Sequence, residues 1–260
     1  MDQVGRGKSQ YLDDASAYNY GTYAAAAMAV LSDLGTLDSG HQVDWVGSSM
    51  GGLLGIMMAA KLPGVIRRLV LNDVGPWVSA AAIEAIGTYV GQDLAFASLE
   101  EATVYMKQRY PGFGPLTEEQ WATMVQRCVE PVRADDARPG AERRAAAALW
   151  RPAGVPAAEG DAPAPAWRLA YDTRIDAAFM AAGPAADVDL WPVWAAAKCD
   201  SALVLHGAQS NILSADIAAN MPGHAPGVAS CQIITWQDCG HIPGLVSEQQ
   251  ILAVQGFLLG

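Results

Sequence analysis

Charge is scarce in this sequence, and positive charge is the scarcer sign. Only 17% of the 260 residues are charged, with 16 basic residues against 27 acidic ones and a net charge of −11. Proteins that bind nucleic acid draw much of their affinity from neutralising phosphates with Lys and Arg, so this balance argues against a nucleic-acid partner. The 52% of hydrophobic residues supplies the apolar surface that disordered chains lack, and it predicts a folded protein.

Long apolar runs are also missing. Stretches such as Leu53–Ala60 are interrupted well short of the roughly 20 residues that a bilayer span needs. No charged-then-apolar signal peptide opens the chain. We therefore expect no membrane association and a cytoplasmic location.

Cysteine is rare and irregularly spaced. The four cysteines form no C-x-x-C pair; they are Cys128, Cys199, Cys231 and Cys239. Zinc sites and disulfide frameworks need closer or more regular spacings. The sequence therefore predicts buried thiols, and neither a metal site nor a disulfide framework.

Both ends of the chain alternate between strand-like and helix-like segments. The strand candidates are Gln42–Val46, Ile66–Leu71, Ala202–Leu205 and Cys231–Thr235. The helix candidates are Thr22–Leu34, Met50–Lys61 and Glu248–Leu259. This alternation is typical of an α/β fold, in which a mostly parallel sheet is covered by helices on both faces.

The middle of the chain has a different character. Its helix candidates are Ser79–Val90, Ser98–Tyr110 and Thr117–Glu130, followed by a low-complexity Ala/Pro-rich insert at about 138–166. We predict a core of residues 1–77 and 195–260, and a helical cap of residues 78–194. The cap is expected over the carboxyl ends of the strands, where α/β sheets bind ligands.

A turn rich in glycine and serine follows the first strand candidate directly. Gly47-Ser48-Ser49-Met50-Gly51 fits the pattern G-x-S-x-G between a strand and a helix. Such a turn presents its central serine as a nucleophile, and we expect no room for side chains at Gly47 or Gly51. The Met50 amide is placed to donate to an oxyanion. Ser48 is the rival serine, but it breaks the pattern, and an ordinary Gly/Ser turn is the alternative interpretation.

A serine nucleophile needs a base, and His241 lies where one is expected. It follows the last strand candidate and precedes the last helix, in agreement with the chain order serine, acid, histidine. His206, at the end of Ala202–Leu205, is the second candidate. His41 and His224 lie in polar loops, where we expect them to be solvated.

Five stretches resemble the α/β-hydrolase superfamily, in particular its capped serine esterases and carbon–carbon bond hydrolases. They cover both ends of the chain and read VGRGKS, WVGSSMGGLLG, RLVLNDVGP, LVLHGAQSNILS and CGHIP. The resemblance implies hydrolysis of a small-molecule ester or acyl substrate without a cofactor. Ser49 would attack, His241 would move the proton, and the Met50 amide would stabilise the oxyanion. The alternatives are C–C bond hydrolysis and a hydrolase-derived protein without turnover.

The acid that orients the histidine is the first departure from the family pattern. In the family the loop after LVLHG usually carries an Asp, but Asn211 stands there. Some members take the acid from the strand after the serine, where Asp73 is found; a turn-capping role is its alternative. Asp216 is expected to be a first-turn helix acid. Asp238 is too close to His241 along the chain to orient it easily.

The beginning of the chain is the second departure. VGRGKS resembles the loop after the fourth strand of the fold, so we expect an N-terminal truncation that removes about the first four strands. The missing part would be on the order of fifty residues and would include the loop with the second oxyanion donor. A P-loop at Gly7-Lys8-Ser9 is excluded, because Asp2 stands where that motif needs glycine.

Overall fold

The computed structural model describes residues 1–145, 147–151, 164–177 and 185–260. Their strands are β1 (Val43–Ser48), β2 (Ile66–Asn72), β3 (Trp77–Val78), β4 (Leu94–Phe96), β5 (Val129–Pro131), β6 (Ala148–Leu149), β7 (Trp167–Leu169), β8 (Val188–Asp189), β9 (Lys198–Gly207) and β10 (Gly227–Trp236). Their α-helices are α1 (Tyr20–Asp33), α2 (Met50–Lys61), α3 (Ala80–Gly87), α4 (Leu99–Arg109), α5 (Glu118–Cys128), α6 (Ala141–Ala145), α7 (Trp191–Ala196), α8 (Ala215–Asn220) and α9 (Glu248–Leu259).

The chain divides into two compact units. One, here called the sheet unit, comprises Tyr20–Ala85, Pro111–Leu116 and Pro184–Gly260. The other, here called the mixed unit, comprises Met1–Asn19, Ile86–Tyr110 and Thr117–Gly183.

The sheet unit is built on four parallel strands in the order β1-β2-β9-β10. Parallel sheets are buried on both faces, so their strands read as continuous apolar runs. Leu69 and Leu71 pack on one face with Ile56 of α2, whereas Val70 packs on the other face with Phe257 of α9. A fully buried Leu or Val contributes about 1.5–3 kcal/mol. The predicted parallel sheet with helices on both faces is therefore confirmed.

The mixed unit holds a second four-stranded sheet in the order β5-β7-β4-β6, with one parallel and two antiparallel pairings. The predicted helices beside it are present: Ser98 caps α4, and Thr117 caps α5 in a reciprocal capping box with Gln120. The sheet itself was not predicted, because strands of two or three residues are too short to show an alternating pattern.

Residues 1–77 were predicted to lie together in the core. Met1–Asn19 instead belongs to the mixed unit. The reason is a set of hydrogen bonds to the residues that follow β7. Gly7 N–H donates to Ala170 O and Asp172 N–H donates to Gly5 O, both at 2.7 Å. Beyond this difference, the division into a core and a cap stays a prediction.

Part of the Ala/Pro-rich insert, residues 146 and 152–163, lies outside the described residues. No helix in the described part of the chain is long and apolar enough to cross a bilayer. All four cysteines are free; Cys199 and Cys239 are buried, and Cys128 and Cys231 are partly buried.

Candidate active site

Ser49 lies at the sharp turn between β1 and α2, entirely within the sheet unit. Its backbone adopts φ 49° and ψ −118°, a conformation that non-glycine residues rarely occupy and that is found most often at functional sites. A Cβ at Gly47 would lie 2.2 Å from Gly51 O, so the strand and helix approach too closely there for any side chain. The G-x-S-x-G stretch thus forms the strand–turn–helix that its sequence predicts.

The second glycine that this turn requires is Gly52, and not Gly51 as predicted. A Cβ at Gly51 would meet nothing within 4 Å, because that face of the first helical turn is open. A Cβ at Gly52 would lie 2.4 Å from Val74 Cγ1 and 3.0 Å from Gly47 O. The expectation that Gly51 leaves no room for a side chain is therefore wrong.

His241, on the loop after β10, is brought to Ser49. Its Nε2 lies 3.1 Å from Ser49 Oγ, and its side chain is 14% exposed. The rival Ser48 turns elsewhere, since its Oγ accepts a hydrogen bond from Asn72 Nδ2 at 2.9 Å. Of the two serines, the structure pairs Ser49 with the histidine.

Asp73, the residue directly after β2, is brought to the other side of the same imidazole. Its Oδ2 lies 2.7 Å from His241 Nδ1, and its side chain is fully buried. Gly207 N–H donates to Oδ1 at 2.8 Å, and Ser210 Oγ lies 2.5 Å from Oδ2. Because a carboxylate can only accept, Nδ1 carries the proton in the neutral ring, and Nε2 offers its lone pair to Ser49.

Asn211 and the remaining acids lie outside this arrangement. Asn211 is exposed, and the carboxylate that His241 contacts is that of Asp73. Asp216 is exposed in the first turn of α8, as predicted, and Asp238 is exposed on the loop after β10. Ser210, one residue before Asn211, was missed; its only sequence signal is that it neighbours the usual acid position.

The other histidines are not brought to Ser49. His206 is buried, and its ring nitrogens lie 3.2 Å from Thr235 Oγ1 and from Leu213 O, which holds the ring inside the sheet unit. His41 and His224 are exposed, as predicted.

The loop that carries His241 is supported by Pro111–Leu116, a segment that sequence reasoning did not single out. Gly112 O accepts from Gly240 N–H at 2.9 Å, and Phe113 O accepts from Gly244 N–H at 3.0 Å. A Cβ at Gly112 would lie 2.8 Å from the carbonyl oxygen of His241, so glycine permits the close approach. This contact fixes the loop on both sides of the histidine.

Asn72 joins the serine turn to the histidine loop, and it too was missed. Its buried Nδ2 donates to Ser48 Oγ and to Pro243 O, each at 2.9 Å. The backbone carbonyl oxygen of Asn72 accepts from Ser49 N–H at 3.1 Å. One side chain therefore ties together the turn before α2 and the loop before α9.

The arrangement has the chemistry of an activated nucleophile. A hydroxyl beside a neutral imidazole, which is itself held by a carboxylate, can lose its proton as it attacks an electrophilic carbon. Met50 is the first residue of α2, so its N–H has no acceptor within the helix and lies where the helix dipole favours negative charge. All these groups follow the carboxyl ends of parallel strands, the usual ligand-binding edge.

The chain is similar in sequence to known proteins. The sequence model of the alpha/beta hydrolase fold matches residues 1–246. The chain is 31% identical over 263 residues to a 3-hydroxybutyrate-oligomer hydrolase of Cupriavidus necator, covering 100% of this chain and 78% of that protein.

Solved structures give the same result. A hydrolase from Rickettsia typhi aligns with a TM-score of 0.76 and 25% identity, covering 98% of this chain and 74% of that one. An alpha/beta hydrolase from Novosphingobium aromaticivorans aligns with a TM-score of 0.74 and 28% identity, covering 99% and 78% of the two chains.

Proposed function

The chain belongs to the α/β-hydrolase family and is a hydrolase, and on that premise we propose that it cleaves a small acyl ester through an acyl-enzyme on Ser49. One observation carries the proposal: the continuous hydrogen-bonded series from Ser49 Oγ through His241 to the buried Asp73. No other serine–histidine–acid series is formed by the described residues.

In the first half of the reaction, His241 acts as general base. Its Nε2 takes the Ser49 proton while Oγ bonds to the ester carbonyl carbon and the carbonyl π electrons move to oxygen. The resulting oxyanion is stabilised by the Met50 N–H at the start of α2. The tetrahedral intermediate then collapses, the C–O bond to the alcohol breaks, and the imidazolium returns its proton to the leaving oxygen.

In the second half, water replaces the alcohol. His241 removes a proton from water, the hydroxide oxygen attacks the acyl carbon, and Ser49 Oγ leaves with the proton from Nε2. The free acid and the original enzyme are the products. Asp73 keeps Nδ1 protonated throughout and stabilises the imidazolium that forms in both halves.

The acid role of Asp73 also bears on the alternative of an inert protein. That alternative rests on the missing oxyanion loop, on the low-complexity insert and on Asn211 at the usual acid position, since an amide cannot stabilise an imidazolium. Because Asp73 approaches His241 from the neighbouring strand instead, the histidine has a carboxylate partner. We therefore favour an active enzyme.

We further propose a short hydroxy-acid ester as the substrate class. Its support is the relative from Cupriavidus necator, named for the hydrolysis of 3-hydroxybutyrate oligomers, which are linear esters of a four-carbon hydroxy acid. The full-length alignment of this chain on that relative makes such an oligomer the first natural substrate to assay.

Turnover assays with matched variants test the proposal. The purified chain should hydrolyse p-nitrophenyl butyrate and the 3-hydroxybutyrate dimer, and Ser49→Ala should lower both rates by about 10⁴-fold or more. Ser48→Ala is the matched control and should retain most activity. Parent-level hydrolysis by Ser49→Ala would overturn the proposal, and turnover of a diketone without turnover of esters would assign the same residues to C–C bond hydrolysis.

A further inference from the structure

The last residue of β9 and the loop after it hold Asp73 with two hydrogen bonds, although this stretch contributes no carboxylate of its own. Gly207 N–H reaches Oδ1 at 2.8 Å, and Ser210 Oγ reaches Oδ2 at 2.5 Å. Oδ2 is also the oxygen that His241 Nδ1 contacts, at 2.7 Å. Ser210 and His241 therefore share one acceptor atom.

The direction of the Ser210 hydrogen bond follows from what surrounds its hydroxyl. A serine hydroxyl has one donor hydrogen and two acceptor lone pairs. Its Oγ accepts from Ile212 N–H and from Leu213 N–H, each at 3.1 Å, which uses both lone pairs. The hydroxyl hydrogen is left for Asp73, whose carboxylate can only accept.

A donor on Oδ2 draws negative charge away from His241. We propose that Ser210 is a positioning residue that orients Asp73 and limits how strongly this carboxylate raises the basicity of His241; the inference rests on the proposed function above. Without the hydroxyl, the Gly207 N–H still holds Oδ1, and Oδ2 interacts with the imidazole alone. The imidazolium is then more stable, and His241 binds its proton more tightly.

The other groups around His241 and Asp73 should not mask this change in the basicity of His241. Burial raises the pKa of the Cys239 thiol to about 11, so that thiol is uncharged near neutral pH. Asp238 is an exposed carboxylate, and Pro111–Leu116 carries no titratable side chain. From β9, His206 contacts Thr235 and Leu213 and not the Asp73 carboxylate.

The test compares three variants by the pH dependence of kcat/KM. Ser210→Ala should move the acid limb to higher pH by about half a unit or more. The removed hydrogen bond stabilised the Asp73 carboxylate, and without it that carboxylate stabilises the His241 imidazolium more strongly. Ser210→Thr keeps the hydroxyl and should restore the parent profile. Ser214→Ala removes only the N-cap of α8, whose hydroxyl accepts from Ile217 N–H, and should not shift the limb.

A measurement without turnover separates this inference from the proposed function. In Ser49→Ala protein, NMR titration of the His241 imidazole, assigned by its loss in His241→Gln, should give a higher pKa when Ser210→Ala is added. Such a shift supports the role of Ser210 even if no ester is cleaved. Ester turnover with an unchanged or lowered His241 pKa in Ser210→Ala overturns that role and leaves the proposed function intact.

Discussion

In the sheet unit, three buried polar side chains lie where parallel strands end, whereas in the mixed unit a buried arginine and a buried aspartate form ion pairs. Asn72 and Asp73 at the end of β2, and His206 at the end of β9, are buried at the edge that carries Ser49. In the mixed unit, the buried Arg168 contacts Glu130 and Asp136, and the buried Asp172 contacts Tyr18 and Arg174.

The two sets differ in how their charges are compensated. Each buried acid of the mixed unit meets an arginine, which is permanently charged. Asp73 instead faces a histidine and two uncharged donors, Gly207 N–H and Ser210 Oγ. Its full counter-charge forms only when His241 becomes protonated. We propose on this basis that the buried charge of the sheet unit serves catalysis and that the buried charges of the mixed unit serve stability.

The largest expected effect comes from removing the charge of Asp73. Asp73→Asn should lower kcat by at least ~10²-fold and by up to ~10⁴-fold, because an amide cannot stabilise the imidazolium. Steady-state kinetics on p-nitrophenyl butyrate measures this. Asn211→Asp is the matched control and should change kcat little. A sharp rise in the kcat of Asn211→Asp, together with little change in the kcat of Asp73→Asn, would reverse the assignment of the acid.

In the mixed unit, removal of a buried cation should cost stability. Arg168→Ala leaves Glu130 and Asp136 paired only with the partly exposed Arg138 and should lower the free energy of unfolding by about 1–3 kcal/mol. Urea denaturation measures the loss. Arg133→Ala, an exposed arginine of the same unit, should change it by less than about 0.5 kcal/mol. Equal losses in both variants would contradict the contrast between the units.

Within the serine turn, the backbone approaches too closely for a side chain at Gly47 but leaves room for one at Gly51. Gly47→Ala places a methyl group 2.2 Å from a backbone oxygen and should cost about 1–3 kcal/mol, with a matching loss of activity. Gly51→Ala meets open space and should cost no stability. Thermal unfolding of the two proteins side by side decides the point, and an equal cost would show that the turn needs both glycines.

The smallest effect is expected at an ion pair on the surface of the sheet unit. Hydrogen bonds from Arg67 lower the pKa of Asp44 below its ordinary value, and burial opposes them in part. This pair, with Arg67 44% exposed, should contribute no more than about 1 kcal/mol. Since the folded-state pKa is lowered, the contribution is present above the ordinary aspartate pKa of about 3.9 and is lost as pH falls through the folded value.

Denaturation of the parent and of Asp44→Asn across pH measures this contribution. The difference between the two proteins should be small at neutral pH and should vanish in acid. A difference that persists in acid would show that Asp44 acts through something other than its charge.

The sequence predicts the parts of the site that depend on short stretches of chain. Ser49 and His241 follow from local motifs, and the long parallel strands follow from their apolar runs. Asp73 remained one of several candidate acids, because its contact with His241 depends on β2 lying between β1 and β9. Ser210, Asn72 and Pro111–Leu116 act through neighbours distant in sequence, so no local pattern marks them.

Covalent labelling can show whether His241 activates Ser49. A fluorophosphonate probe followed by peptide mass mapping should place the adduct on Ser49, with labelling lost in His241→Ala and retained in Ser48→Ala. An adduct on Ser48, labelling that survives His241→Ala, or a parent protein that does not react would contradict the account.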